Sequence, residues 1–485
     1  MTTTIDGERS LFAKAGRALG WSFASTALGR LSTLAIGIAL ARILGPKEFG
    51  TFAVAMVALL AVLSFNELGV SLAIVRWPGD PRDISSTVAT IAVVSSSLIY
   101  AVVYFGAPLF AHMMDAPFSV PVVRLLGLCV IVNGLVAAPA AMLQRTFRQD
   151  RKMLADQVTM WLGALTSIGC ALSGLGAMSL AIGQLTGAVA GAVLFIAFAP
   201  DAMRFGFNRE QAMALMRFGL PLAGSSIVVF AVANLDRFLI GAVLGPVPLG
   251  FYVLAANLSN WPVSVFSQPV RAVAPAALAR LQGDPPAMRS TFLSTAGLLG
   301  SVTLPVCVLL AVAAEPLIRF VYGGAWVAAA TVLPWLALVG ALRILFELVY
   351  DYFVVLASTR VVFTVQVVWL VALIPSLYLA AKHIGMGGVG AAQLAVAALV
   401  VLPIYLVELN KVGISPVALW RRLVVPFVAA AAVGVVVLLI ERMISADLLA
   451  LLVAGAVGMV AIGLLAYRMR GVLRTLRTVE ATDYS

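Results

Sequence analysis

Residues 41–50 read ARILGPKEFG, and the core of this stretch occurs twice in the chain. The Leu-Gly-Pro triplet at 44–46, followed by Gly50, recurs at 244–246, followed by Gly250, at an offset of 200 residues. In each copy a long apolar segment ends at the glycine, and the proline opens the next helix in its first turn, where a missing N–H costs nothing. Transporter folds are commonly built from internal repeats, so the pattern predicts a duplicated helical architecture.

The composition places this architecture in a membrane. Of the 485 residues, 62% are hydrophobic and only 11% are charged, and the mean hydropathy is +1.06. A soluble domain carries about 25% charged residues, so a soluble enzyme, a nucleic-acid-binding module and a disordered scaffold are all excluded. The net charge of +11 therefore relates to membrane topology, and no nucleic-acid partner is expected.

Long apolar runs predict an all-α polytopic membrane protein. A helix needs about 20 apolar residues to cross ~30 Å of hydrocarbon. Runs of that length, separated by charges, Pro and Gly, predict fourteen spans. The predicted spans are 18–41, 49–74, 84–107, 121–143, 156–174, 177–199, 217–243, 248–273, 291–313, 328–357, 361–381, 388–409, 423–441 and 447–467.

The basic residues predict the orientation of these spans, because cytoplasmic loops of membrane proteins are enriched in Lys and Arg. With the N-terminus inside, the segments on that side carry 22 of the 32 basic residues, and the opposite side carries 5. A miscounted helix would invert every later loop and remove this bias. Both termini are therefore predicted to be cytoplasmic.

The repeat and the spans together divide the chain. The two copies of the repeat are separated by six spans, an even number, so they share one orientation. They predict two parallel six-helix lobes related by an axis along the membrane normal, with two helices left over. The predicted segments are a cytoplasmic N-terminal segment (1–16), an N-lobe (17–200), a cytoplasmic inter-lobe loop (201–216), a C-lobe (217–409), two additional helices (410–467) and a basic cytoplasmic tail (468–485).

A regular series of glycines in the sixth span predicts close helix packing. Gly183, Gly187 and Gly191 recur every four residues and so share one helical face. Such a smooth strip lets another helix approach closely, and packing is the role we expect for it.

Catalytic and cofactor motifs give no support for an enzyme. Residues 385–390 formally fit GxGxxG, but they link two apolar helices instead of a strand and a helix in a βαβ unit. The chain contains no GxxxxGK(S/T) loop for cradling ATP phosphates and no DxD for holding the metal of a sugar-nucleotide transferase. Three cysteines in apolar runs and two distant histidines lack metal-ligand spacing. We expect neither a cofactor nor a metal site.

Charged residues inside the spans are the candidate substrate-binding groups, because a charge at the bilayer centre costs at least ~2.5–3.5 kcal/mol and normally faces a bundle interior or a wet cavity. Arg30 follows Arg17 by thirteen residues, or ~20 Å of helix, so it lies deep in the first span, as a substrate contact or a structural ion pair. Arg343, Glu347 and Asp351 recur at steps of four, so they stack on one face of the tenth span and can neutralise one another.

Two further charges lie on the seventh span. Asp236 and Arg237 are adjacent and point in different directions, so each needs a partner elsewhere or water; an ion-pair lock between the lobes and a substrate contact both fit. Arg124 and Arg271 lie near span ends, where we expect them to snorkel to the interface. Five arginines against four acids within the spans mildly favour an anionic ligand. The candidate substrate-binding residues are Arg30, Arg237, Arg343, Asp236, Glu347 and Asp351.

The residues 41–50, 234–241 (NLDRFLIG) and 249–262 resemble the polysaccharide exporters that flip lipid-linked oligosaccharides. These exporters share a superfamily with the multidrug and toxin extruders and the peptidoglycan-precursor flippases. The resemblance runs through roughly residues 15–285. It implies a V-shaped two-lobed bundle, alternating access and a cationic central cavity, with Arg30 where a first-helix arginine lines that cavity in the peptidoglycan-precursor branch.

The sequence is thus interpreted as a non-enzymatic transporter of the bacterial cytoplasmic membrane. The expected substrate is a polyprenyl-pyrophosphate-linked oligosaccharide moved to the outer leaflet for cell-surface polysaccharide assembly, such as lipopolysaccharide or exopolysaccharide. Membrane lipids surround the protein, and a polysaccharide polymerase and glycosyltransferases are the expected protein partners. The first alternative is a cation-coupled multidrug exporter, whose cavity should be acidic or aromatic. The second is a membrane glycosyltransferase or ligase, which would require a large outer loop with paired acids.

Overall fold

The computed structural model describes residues 33–63, 74, 79–146, 148–444 and 446–468. Within these ranges the regular elements are all helical. The helices are α1 (Thr33–Leu63), α2 (Pro81–Met113), α3 (Val120–Arg145), α4 (Gln149–Leu172), α5 (Ala177–Phe198), α6 (Arg209–Leu244), α7 (Pro246–Pro262), α8 (Gln268–Arg280), α9 (Pro285–Val312), α10 (Ala314–Tyr322), α11 (Leu333–Val355), α12 (Thr359–His383), α13 (Met386–Val396), α14 (Leu402–Lys411), α15 (Pro416–Met443) and α16 (Asp447–Arg468).

Several helices are joined or extended by other helical turns. A π-helical segment, Val263–Ser267, connects α7 to α8, and another, Ala397–Val401, connects α13 to α14. A 3₁₀ segment, Gly324–Thr331, follows the short helix α10. The sequence predicted a single span over 328–357 and gave no signal for α10, which is too short to cross a membrane.

Ten helices in the described part of the chain are long and apolar enough to cross a membrane, so the protein is a multi-pass membrane protein. Each of the fourteen predicted spans overlaps a helix, but α1 is one continuous run, and α4, α6 and α7–α8 are not among the ten. In α4 the first three turns carry Arg151, Lys152 and Asp156, which lower its hydropathy. The all-α polytopic fold is confirmed, whereas the count of fourteen spans stays a prediction.

The helices pack mainly with neighbours from their own half of the sequence. In the first half α3 packs on α2 and α5, and α5 packs on α4. In the second half α11 packs on α7 and α9, and α12 packs on α13. The last two helices, α15 and α16, pack on each other and on α9. The glycine strip of α5 is confirmed as a packing surface, because Gly183 and Gly187 lie against the backbone of α4 at Gly163 and Thr159.

The two copies of the Leu-Gly-Pro motif meet in space. Gly45 and Gly245 both have positive φ, 73° and 87°, a conformation that a residue with a side chain rarely adopts. A Cβ on Gly50 would overlap the carbonyl oxygen of Pro246, and one on Gly250 would lie 3.0 Å from the carbonyl oxygen of Pro46 and 2.9 Å from the Cα of Gly50. The contact is reciprocal, with equivalent residues of the two halves touching each other through their backbones.

Candidate functional site: a cavity between the two halves

A cavity of about 780 Å³ lies between helices of the first and the second half. This volume is within the range of about 300–1,000 Å³ that is usual for small-molecule sites. Its walls come from α1, α4, α7 and the end of α10. The lining residues of the first half are Thr33, Leu34, Gly37, Ala41, Phe49, Met153, Gln157 and Met160, and those of the second are Leu254, Asn257, Asn260, Trp261, Ser264 and Tyr322.

One face of α7 and of the π-helical segment after it forms the polar wall of the cavity. Asn257, Asn260, Trp261 and Ser264 follow one another at steps of three, one and three, which places them on a single helical face. The Trp261 side chain is 38% exposed, and Asn257 is also exposed. This wall combines two neutral amides, a hydroxyl and an indole, and it carries no charge of its own.

Another part of the lining is formed by α4 and α1. Met153, Gln157 and Met160 lie at steps of four and three on α4, so they also share one face. Gln157 adds a third amide to the cavity, and the two methionines add flexible apolar surface. Thr33 of α1 donates a hydrogen bond to the Sδ of Met160 at 3.4 Å, which ties the α1 and α4 walls together.

A buried aromatic cluster closes the cavity at the end where the Leu-Gly-Pro motifs meet. The ring of Trp326, only 1% exposed, makes edge-on contacts with Phe49 of the first half and Phe251 of the second, at centroid distances of 5.4 and 5.8 Å. Tyr322 packs beside it at 6.4 Å, and burial raises the pKa of the Tyr322 phenol to about 12. Phe49 and Tyr322 also line the cavity, so this cluster is its end wall.

Hydrogen bonds hold the same end together across the halves. The indole N–H of Trp326 donates to the carbonyl oxygen of Ala41 at 3.1 Å. The guanidinium of Arg42 donates to the carbonyl oxygens of Phe320 and of Val321, the latter at 2.7 Å. We call this region, comprising the two Leu-Gly-Pro motifs with their following glycines, Arg42 and the Trp326 cluster, the closed end.

A charged cluster lies beside the polar wall. Asp351, with its side chain 8% exposed, accepts two hydrogen bonds from Arg271, from Nε at 3.0 Å and from Nη2 at 3.1 Å. Glu347 lies 3.8 Å from the Nη1 of Arg271 and 3.4 Å from the Nε of Arg343, so it links the two arginines. Arg343 also donates to Asn260 at 3.2 Å, which brings this candidate residue to the edge of the cavity.

Arg271 of this charged cluster does not have the role that the sequence predicts. Snorkelling was expected for it, but the structure pairs it with the two acids of α11. The charge balance of α11 already indicated this pairing, because one face of the helix carries two acids, Glu347 and Asp351, and only one arginine, Arg343. Two acids and one arginine on a helical face require a second cation, and Arg271 is that cation.

Asp236 and Arg237 lie elsewhere, within the second half. Asp236 accepts hydrogen bonds from the hydroxyl of Tyr252 and from the amide of Gln393, the latter at 3.1 Å. Arg237 donates to Asn234 at 3.1 Å. All these partners belong to α6, α7 and α13, so among the described residues this pair makes no lock between the halves. The roles of both residues in binding substrate stay predictions.

Arg30 lies outside the described residues. Four residues that follow it in the same predicted span line the cavity: Thr33, Leu34, Gly37 and Ala41. The structure thus brings Arg343, Glu347 and Asp351 together beside the cavity, and it places Asp236 and Arg237 apart from them.

The profile of the polysaccharide biosynthesis protein family matches residues 39–331, more than half of the chain. This chain belongs to that family. It is 23% identical over 306 residues to the lipopolysaccharide biosynthesis protein WzxC of Escherichia coli, covering 63% of this chain and 62% of WzxC. It is 27% identical over 327 residues to the succinoglycan biosynthesis transport protein ExoT of Rhizobium meliloti, covering 66% of this chain and 65% of ExoT. The matches therefore span less than two thirds of either relative.

The fold is shared with a solved transporter structure. The lipid II flippase MurJ in an inward closed conformation superposes with a TM-score of 0.75, covering 92% of this chain and all of that chain, at 13% identity. The family match contains the closed end and the amide wall of α7. It ends before Arg343, Glu347 and Asp351, so the charged side of α11 lies outside the part shared with the family profile.

Proposed function

We propose that this protein moves a polyprenyl-pyrophosphate-linked oligosaccharide from the cytoplasmic to the outer leaflet of the bacterial cytoplasmic membrane. The observation that carries the proposal is the cavity between the halves, which combines a neutral polar wall with Arg343 of the neighbouring charged cluster. An amphiphile with a sugar head and an anionic linkage requires both a hydrogen-bonding wall for the sugar and a cation for the anionic linkage. The family membership and the transport role in the name of ExoT support it.

Arg343 is the described residue that fits the anionic linkage. Its side chain is 49% exposed while Nε faces Glu347 and Nη1 faces Asn260, so part of the guanidinium surface is open beside the cavity. A guanidinium forms paired hydrogen bonds to phosphate oxygens. Glu347 contacts the Nε of Arg343 and so orients it, and both Glu347 and Asp351 are paired with Arg271, so neither carboxylate leaves the cavity edge acidic. Arg30, predicted deep in the first span, would add a second phosphate-binding group.

Transport would proceed by alternating access. In this proposal the lobes 17–200 and 217–409 rock against each other, so that the closed end separates to release the sugar head and re-forms to reset the cavity. The lipid tail stays in the bilayer throughout. Both termini lie in the cytoplasm, as the excess of basic residues on that side predicts. Glycosyltransferases would supply the substrate, and a polysaccharide polymerase would consume it.

A multidrug exporter remains the second candidate, because one observation favours it. Met153, Met160 and Trp261 give the cavity adaptable apolar surface of the kind that suits varied hydrophobic ligands. Such an exporter would bind organic cations through exposed carboxylates or aromatic faces. The two carboxylates of the charged cluster, Glu347 and Asp351, are paired with arginines, which makes the oligosaccharide substrate the better fit.

The test is a flipping assay with the full chain in proteoliposomes. The probe is an undecaprenyl-pyrophosphate-linked trisaccharide carrying a fluorophore on its sugar, and dithionite added outside reports the fraction that reaches the outer leaflet. We expect the protein to accelerate this exchange and Arg343→Gln to slow it by about tenfold or more, whereas Asn410→Ala, an exposed amide away from the cavity, leaves it unchanged. Movement of ethidium without movement of the glycolipid would replace the proposal with the multidrug exporter.

A further inference from the structure

The amides of the cavity make few contacts with the protein itself. Gln157 and Asn257 are exposed, and neither side chain forms a hydrogen bond to another described residue. An amide in the middle of a membrane protein is costly unless it has polar partners or faces a wet space. These side chains therefore face the cavity with their hydrogen-bonding groups available to whatever enters it.

The chemistry of this wall distinguishes between the parts of the proposed substrate. Each amide offers two N–H donors and a carbonyl acceptor, and each sugar hydroxyl both donates and accepts, so the two match. A pyrophosphate only accepts, and a guanidinium serves it better than an amide. The exposed ring of Trp261 adds a flat apolar surface beside Asn257 and Asn260, and the C–H face of a pyranose ring is the complementary surface.

The contact between Arg343 and Asn260 places the proposed sites for the two parts of the substrate side by side. The guanidinium of Arg343 lies 3.2 Å from the amide of Asn260, and Trp261 is the next residue on the same helix. A pyrophosphate bound at Arg343 would therefore place its covalently attached sugar against Asn260 and Trp261. Further sugars would extend toward Asn257 and Gln157, which line the same cavity from α7 and α4.

We propose that Gln157, Asn257, Asn260 and Trp261 form a glycan subsite that binds the sugars nearest the pyrophosphate. This inference rests on the proposed function, because it assigns part of the same cavity to one part of the same substrate. The subsite binds uncharged hydroxylated rings, and it makes the protein favour a glycosylated carrier over the bare polyprenyl pyrophosphate. Residues of both halves line this subsite, so it would bind the sugar only while the two halves together enclose the cavity.

Native mass spectrometry of the full chain in nanodiscs tests this with two probes. One is undecaprenyl pyrophosphate, and the other is undecaprenyl pyrophosphate linked to a trisaccharide of uncharged hexoses. We expect the glycosylated probe to bind about tenfold or more tightly than the bare one. The double variant Gln157→Ala/Asn257→Ala should remove most of this preference, since two hydrogen-bonding side chains are lost, and leave the affinity for undecaprenyl pyrophosphate unchanged.

Two further variants complete the design. Arg343→Gln should weaken both probes, and Asn410→Ala should weaken neither. Trp261→Phe keeps an aromatic face and should retain more of the preference than Trp261→Leu, so the proposal stays testable if the double variant is unstable. Equal loss of both probes in the double variant, or an unchanged preference, would overturn the subsite while leaving the proposed transport function intact. Failure of the wild-type chain to bind either probe would instead overturn the proposed function.

Discussion

The helices α1 and α7 each contribute to both the closed end and the cavity, but with opposite kinds of surface. At the closed end they meet through glycines, backbone carbonyl oxygens and buried rings, with no space for an added methyl group at Gly50 or Gly250. About two turns farther along α7, Asn257 and Asn260 line the cavity. The closed end therefore depends on fit, and the cavity depends on which functional groups it presents. Substitutions at the closed end should therefore disrupt its structure, and substitutions in the cavity wall should change which molecules the cavity binds.

The largest effect is expected at the glycine contact. Gly50→Ala places a Cβ where the backbone oxygen of Pro246 lies, and backbone cannot move aside as a side chain can. The closed end should then fail to form, and glycolipid flipping in proteoliposomes should fall to the protein-free background. Gly169→Ala on α4, where a Cβ meets open space, is the matched control and should flip at the parental rate. Parental flipping by Gly50→Ala would mean that transport does not need this contact.

The next largest effect is expected at Trp326. Replacing this buried ring by alanine removes three aromatic contacts and the hydrogen bond to Ala41, and truncation of such a residue costs about 3–5 kcal/mol. A clear drop in melting temperature in detergent should follow. Trp161→Ala, in which the original side chain is 43% exposed, should shift the melting temperature much less. Equal shifts in the two variants would contradict a special role for the buried cluster.

A smaller effect is expected in the charged cluster. Arg271→Ala leaves Asp351 and Glu347 short of a cation, and we expect a loss of about 2 kcal/mol, below the ~3–5 kcal/mol of a fully buried pair because Arg271 is 39% exposed. Adding Asp351→Asn should recover part of the lost stability, since the uncompensated charge is removed. Thermal unfolding of the two single variants and the double variant measures the coupling. Additive losses would show that the pair is not coupled.

The smallest effect on stability is expected in the cavity wall. Asn260→Ala removes a partly exposed amide whose only described side-chain partner is Arg343, so the free energy of unfolding should change by about 0.5 kcal/mol or less. Flipping of the glycolipid should nevertheless slow. A drop in melting temperature as large as that of Trp326→Ala would remove the distinction between the two regions.

The sequence predicted the parts of this fold that depend on local patterns. Apolar runs predicted the all-α membrane architecture, the glycine strip of α5 predicted close packing against another helix, and the repeat predicted the paired positions of Gly50 and Gly250. The contact between those two glycines could not be predicted, because the spacing along a chain does not say that two copies of a motif touch. Trp326 was missed for the same reason, since an aromatic residue in a short connection has no periodicity to assign its neighbours.

The candidate site was predicted only in part, because the candidate residues were chosen as charged groups within the spans, which membranes tolerate least. That criterion found Arg343, Glu347 and Asp351, which do lie together beside the cavity. It passed over Asn257 and Asn260, although their three-residue spacing on an apolar helix was visible. Neutral amides carry a smaller cost in a membrane than charges, so they are weaker signals even when they line the cavity.

The reciprocal contact between the two Leu-Gly-Pro motifs has the geometry of an isologous homodimer interface. In such an interface one surface patch meets its own equivalent, so two half-length chains that each carry one motif would bring the same patch to the glycine contact from both sides. Fusion of two such copies into one polypeptide would preserve the contact while freeing each half to change independently elsewhere. The acidic positions of α11 and the amide face of α7 occur in the second half, away from this contact.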